Sequence, residues 1–213
     1  MMNIKMLKMA FAGVVLSVTG FANAGVISTL YGANNGGSFG GAVYFDLMVG
    51  SQDLSITGFD LNTNEQDAFS DFQVWLLNGT TSETNQTSSS WLQAATGSGT
   101  GAGLNNVTMV TLSNNFSLNS NTLYGFALVA GSTFGHDYTN GDGSNQNFSN
   151  TDLSLTLGTA TNSPFTGSVF NPRIWNGTIR YDVVTSDVPA PTSIALLALG
   201  LVGLGLSRKK KTA

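Results

Sequence analysis

Leu153-Ser154-Leu155-Thr156-Leu157 alternates apolar and polar residues without a break, and Ile179-Arg180-Tyr181-Asp182-Val183 repeats the pattern further along. Successive side chains of a strand point to opposite faces, so each pentapeptide carries one apolar and one hydrophilic face. In the second, both charges fall on the hydrophilic side. Neither stretch fits helical spacing, which needs apolar residues three and four apart.

Similar runs extend outward from these two. Phe72, Val74 and Leu76 alternate with Gln73, Trp75 and Leu77, and Leu54 and Ile56 alternate with Asp53, Ser55 and Thr57. Val107, Met109 and Leu112 suggest another apolar face. Ala42 to Val49, broken only by Asp46, and Leu123 to Ala130 are two further apolar runs and predict more deeply buried strands. Asn35-Gly36-Gly37, Asn78-Gly79, Asn140-Gly141 and Asn176-Gly177 separate the runs with residues that suit tight turns. Gly-rich loops are expected at 97–103 and 141–143. No helical periodicity appears between Gly25 and Val184. The prediction is an all-β fold, an antiparallel β-sandwich of jelly-roll type, with a barrel as the alternative. An N-terminal signal helix and a C-terminal hydrophobic helix are expected to flank it.

Composition supports a folded domain. The 213 residues include 13 Phe, 5 Tyr and 3 Trp, enough for a core, whereas only 9% are charged against about 25% in ordinary soluble proteins. The chain has no Cys, which excludes disulfides, thiolate metal sites and cysteine nucleophiles. Its charges are segregated. Lys5 and Lys8 lie near one end, and Arg208, Lys209, Lys210 and Lys211 near the other. Between them stand all 12 acids and only Arg173 and Arg180, a formal charge of −10 with no lysine. That field repels phosphate backbones and argues against nucleic-acid partners.

Both ends read as addresses. Residues 1–24 have a basic start, an apolar run from Met9 to Val18 and the small-residue pattern Ala22-Asn23-Ala24. This is a secretory signal peptide, with cleavage expected between Ala24 and Gly25 by signal peptidase after passage through the Sec translocon. The alternative is an uncleaved N-terminal anchor. The expected β domain covers 25–184. A Pro-containing linker follows at 185–192, and a tail at 188–211. In the tail Val188-Pro189-Ala190-Pro191 precedes an apolar helix, 194–206, and the basic cluster 208–211. Thirteen apolar residues fall short of the roughly 20 of a straight span, and the cations would stay on the cytoplasmic side of the inner membrane.

The order of Pro-x-Pro, Gly- and Leu-rich apolar segment and basic cluster resembles the PEP-CTERM sorting signal. Ala190 stands where that family most often has Glu, giving a Pro-Ala-Pro variant. The resemblance implies an exosortase as partner, which recognises the tail and removes or exchanges it. It further implies an inner-membrane-anchored intermediate, then the cell surface or extracellular matrix, and a link to extracellular polysaccharide and biofilm. A plain single-span anchor is the alternative. The segment Phe170-Asn171-Pro172-Arg173-Ile174-Trp175-Asn176-Gly177 also resembles, loosely, the endings of other PEP-CTERM payloads. That likeness implies no activity.

Chemistry is sparse in the β domain. His136 is the single histidine, so a catalytic triad or a multi-histidine zinc site would rest on it alone. Its surroundings read more simply as a loop. Asp60, Glu65, Asp67 and Asp71 cluster in sequence, as do Asp137 and Asp142, and paired carboxylates could hydrolyse a glycoside. No Gly-x-Ser-x-Gly elbow occurs. The oxygen-rich segment 137–145 offers Asp137, Asn140 and Asp142 as candidate calcium ligands, off EF-hand spacing. Beyond calcium, no cofactor is expected. Trp91, after Ser88-Ser89-Ser90, and Tyr138, in a polar loop, are the candidates for stacking on a sugar ring. The expectation is an exported, non-enzymatic surface or matrix protein with a carbohydrate-binding role. The alternatives are a glycan-active hydrolase or a plain membrane-anchored structural protein. An exposed row of aromatics beside amides on one sheet face would favour sugar binding.

Overall fold

The structure, a computed structural model, describes residues 23–81 and 89–184. The expectations for the signal helix, the linker, the apolar helix 194–206 and the basic cluster fall outside these residues. The compact body runs from Ala22 to Val184, and among the described residues no helix forms.

Fourteen strands follow in chain order: β1 Asn23–Ser28, β2 Asn35–Gly36, β3 Ala42–Val49, β4 Leu54–Leu61, β5 Ala68–Asn78, β6 Leu92–Thr100, β7 Thr108–Leu118, β8 Leu123–Val129, β9 Asp137–Asn140, β10 Asn147–Ser149, β11 Leu153–Thr161, β12 Val169–Phe170, β13 Arg173–Trp175 and β14 Gly177–Val183. Eleven of them form one antiparallel sheet in the order β1-β14-β4-β7-β6-β5-β8-β3-β11-β10, with β12 beside β11. The small sheet β13-β9-β2 adds three more. The antiparallel all-β reading therefore holds, and the large sheet curls until it is nearly a barrel. Its free edges, β1 and β10, meet through side chains: Asn150 Nδ2 donates to the Val26 carbonyl at 3.0 Å and to the Tyr181 hydroxyl at 2.7 Å. Such a seam covers the unpaired edge groups that an open sheet would present.

The two opening pentapeptides behave as read. Leu153, Leu155 and Leu157 are buried while Ser154 and Thr156 are exposed, and Ile179, Tyr181 and Val183 face inward. The phase of β7 is the reverse of that suggested by Val107 and Met109. Thr108 and Val110 are buried, whereas Val107 and Met109 are 51% and 62% exposed. Register decides this: Val110 Cγ1 occupies the space a Cβ at Gly97 would need, 2.5 Å away. The Phe69 ring fills the corresponding space at Gly99. The expected Gly-rich loop at 97–103 is thus partly strand β6, its glycines making room for neighbouring side chains.

Inside the sheet, aromatic rings form a continuous line. Phe126 stacks on Phe45 and Phe45 on Trp175, each pair 5.3 Å apart. Trp175 meets Phe59, Phe59 meets Phe72, Phe72 meets His136 and His136 meets Phe134. Phe134 closes on Phe69 at 4.4 Å. Each contact adds roughly 0.5–1.5 kcal/mol beyond simple burial. Trp175 comes from the small sheet, so it ties that sheet to the core of the large one.

Candidate functional site

Strands β3, β5 and β8 carry apolar side chains on both faces. Phe45, Phe72, Val74, Phe126 and Leu128 face inward. Outward stand Ala42 and Tyr44 on β3, Ala127 and Val129 on β8, and Trp75 and Leu77 on β5. Cross-strand pairing aligns Tyr44, Ala127 and Trp75 in one row. The small central residue leaves a trough between two large rings. Two loops fill it. Trp91 lies 5.8 Å from Tyr44, and Phe165 lies 5.3 Å from Trp75 and 5.7 Å from Trp91.

Polar bonds fix these loops. The Phe165 N–H donates to the Tyr44 hydroxyl at 3.0 Å, and burial pushes that phenol above its ordinary pKa, so it stays neutral. The Gly167 N–H closes the turn onto the Ser163 carbonyl at 2.8 Å. Phe165 itself has φ of 63°, a left-handed conformation that is uncommon for a bulky residue and costs about 1–3 kcal/mol. On the other side, Asp46 accepts the Thr80 hydroxyl and the Thr81 N–H, both at 2.6 Å. Trp75 and Phe165 remain half-buried. The Trp75 indole N–H donates to Gln73 Oε1 at 2.9 Å, and exposed Gln93 pairs directly across from Trp75. Aromatic surface and side-chain amides therefore adjoin on one outer face.

The two expected stacking residues do not offer free rings. Trp91 is 6% exposed and Tyr138 is 3% exposed. Trp91 is covered because its loop folds onto the outer trough, and Tyr138 because β9 is the middle strand of the small sheet, where the Arg173 guanidinium lies 5.7 Å from its ring. Trp75 is among the aromatics available for stacking, but its strand-like run points to the core. What marks it is its register in one row with Ala127 and Tyr44, which sequence does not reveal.

The candidate calcium ligands do not converge. Asp137 and Asn140 fall on opposite faces of β9, three residues apart in a strand. Asn140 Oδ1 accepts from Asn35 Nδ2 at 3.0 Å. Asp142 Oδ1 accepts both the N–H and the hydroxyl of Ser144 at 2.8 Å, the first of which chiefly holds its carboxyl below the usual range. Burial, the largest influence on Asp137, pushes its carboxyl up. Among the described residues, no three acidic or histidine side chains gather as a metal-holding group.

The other titratable groups are engaged structurally. Asp60 is almost fully buried and takes the guanidinium of Arg180 through both oxygens, at 3.1 and 2.6 Å. Asp71 accepts the Ser132 N–H and hydroxyl at 2.8 Å, and the N–H bond chiefly lowers its pKa. Asp53 caps the Ser120 N–H at 2.7 Å. Tyr181 donates to Asp152 at 3.0 Å, and burial first, then that bond, push its phenol up to about 12. His136 lies at a strand end, the residue before β9, as a loop or strand-end histidine should. It is nevertheless fully enclosed between Phe72 and Phe134, with Nε2 on the Leu128 carbonyl at 3.0 Å and Nδ1 unpartnered. Burial lowers its pKa to about 4, so the ring is neutral at physiological pH.

Comparison with known families adds the tail. Residues 187–209 match the PEP-CTERM protein-sorting motif. The motif thus covers the Pro-x-Pro element, the apolar segment and the start of the basic cluster, and it implies an exported protein with an exosortase as its processing partner. No curated protein matches the chain.

Proposed function

We propose that this chain is an exosortase-sorted protein of the cell surface or extracellular matrix whose non-enzymatic body binds neutral polysaccharide on its outer aromatic face. On this reading the Sec translocon exports the chain and signal peptidase trims its leader. The tail then holds it at the inner membrane until an exosortase acts. The sorting motif at 187–209 supports the delivery. The observation that carries the binding role is the outer pairing of Trp75 and Phe165 beside the amides of Gln73 and Gln93. A pyranose has one apolar ring face and a rim of hydroxyls. Half-exposed rings suit the first, and side-chain amides suit the second. The charge of the body selects against polyanions, so the fitting substrate class is uncharged. Asp46, Asp53, Asp60, Asp71, Asp142 and Asp152 each hold a loop or a neighbouring strand, which favours a binding module over a hydrolase.

The test begins with cell fractionation and mass spectrometry of the mature ends, then titrates the released protein with neutral and uronic-acid polysaccharides while following tryptophan fluorescence. Binding to a neutral polymer is expected, at least tenfold weaker in Trp75→Ala. Failure to bind any neutral polymer overturns the carbohydrate reading. Binding unaffected by Trp75→Ala removes it from this face. Intact precursor in the cytosol overturns the delivery.

A further inference from the structure

The bond expected to be cut by signal peptidase does not precede the β body; it lies inside it. Ala24 and Gly25 are the second and third residues of β1, paired with Asp182 and Tyr181 of β14. The Tyr181 ring occupies the space beside Gly25, and a Cβ there would sit 2.4 Å from the ring carbons Cε2 and Cζ. Any side chain at position 25 would displace the ring. From the other side, Asn150 holds the carbonyl of the next residue, Val26. Residues 24–26 are thus held by β14 on one flank and by the seam on the other.

Proteases take their substrates as extended segments whose backbone groups are free to pair with the enzyme. A bond already paired in a sheet must leave it first. β1 is an edge strand, and among the described residues β14 is its only hydrogen-bonded strand neighbour. β14 is also the last strand of the body, and only three residues, 184–186, separate its end from the start of the sorting motif at 187. Before β14 has crossed the membrane, β1 has nothing to pair with.

We infer that the docking of β14 closes the period in which the signal peptide can be removed, so that leader cleavage precedes completion of the fold and presentation of the tail. Roughly 155 residues separate the cleavage bond from its partner on β14, which at synthesis rates of 5–20 residues per second leaves roughly 8–30 s. A precursor that misses this period folds with its leader attached and its cleavage bond covered. In a chain that is cleaved in time, β1 consists of Gly25 to Ser28.

The experiment uses the full-length precursor refolded in detergent and incubated with signal peptidase, with cleavage followed by intact mass. Ser28 and Thr178 are cross-strand partners whose hydroxyls lie 2.8 Å apart. Ser28→Cys with Thr178→Cys therefore allows a disulfide lock in a chain that has no other cysteine. The oxidised precursor is expected to be cleaved at least tenfold more slowly than the same protein after reduction. Tyr181→Gly, which frees Gly25, is expected to be cleaved faster than the wild type. Equal rates for the locked, reduced and Tyr181→Gly proteins overturn the inference, as does a mature N-terminus other than Gly25.

Discussion

The inner and outer faces of β3, β5 and β8 are both aromatic, yet they do different work. The inner rings, Phe45, Phe72 and Phe126, are enclosed by rings from other strands and from the small sheet. The outer rings, Tyr44 and Trp75, are covered by two loops carrying Trp91 and Phe165. The inner set fixes which strands lie together. The outer set fastens loops to the sheet, and it leaves ring surface available.

The largest effect should come from the inner line. Trp175→Ala removes a ring that touches Phe45 and Phe59 and links the two sheets. A loss of roughly 3–5 kcal/mol is expected in chemical denaturation, a large share of the 5–15 kcal/mol typical of a domain. A loss near 1 kcal/mol would show that the small sheet is peripheral.

Acid separates the faces next. His136 titrates at about 4 in the folded chain and near 6.5 when unfolded. Below pH 6.5 the unfolded state takes up a proton that the native state refuses. The histidine contribution is therefore complete above pH 6.5 and lost as pH falls to about 4, a difference of roughly 3 kcal/mol. Urea midpoints measured across that range should fall more steeply for wild type than for His136→Met. Parallel slopes would place the ring in contact with water. Tyr44 of the outer face is a phenol whose pKa burial raises further, and it stays neutral throughout that range.

The smallest effect should come from the outer face. Phe165→Gly loses about 1–2 kcal/mol of ring burial but regains about 1 kcal/mol from the relaxed left-handed backbone. Global stability should change by less than about 1 kcal/mol, while limited proteolysis opens the 162–168 loop. A loss as large as that of Trp175→Ala would erase the distinction between the faces.

The same contrast explains what was legible in the sequence. Strands covered on one side, such as β11 and β14, alternate and were read directly. Ala42 to Val49 and Leu123 to Ala130 run apolar because loops cover their outer faces as well. Their depth was visible and its cause was not. Trp91 looked exposed after three serines because local polarity says nothing about a trough formed by Tyr44, Ala127 and Trp75 on three other strands. Tyr138 looked like a loop residue because its strand is four residues long and pairs with segments about 35 and 100 positions away. The near-closure of the sheet likewise depends on Asn150 reaching β1, a contact across 124 positions.

The two arginines of the body have a practical consequence. Arg173 lies in β13 and Arg180 in β14, both in paired strands, and no lysine lies between residues 9 and 208. Trypsin-like enzymes, which cut only after these residue types, meet just two susceptible bonds there, both drawn into hydrogen-bonded ladders. Digestion of the body by such an enzyme therefore measures unfolding itself, and the body resists that class of protease for as long as its sheets hold.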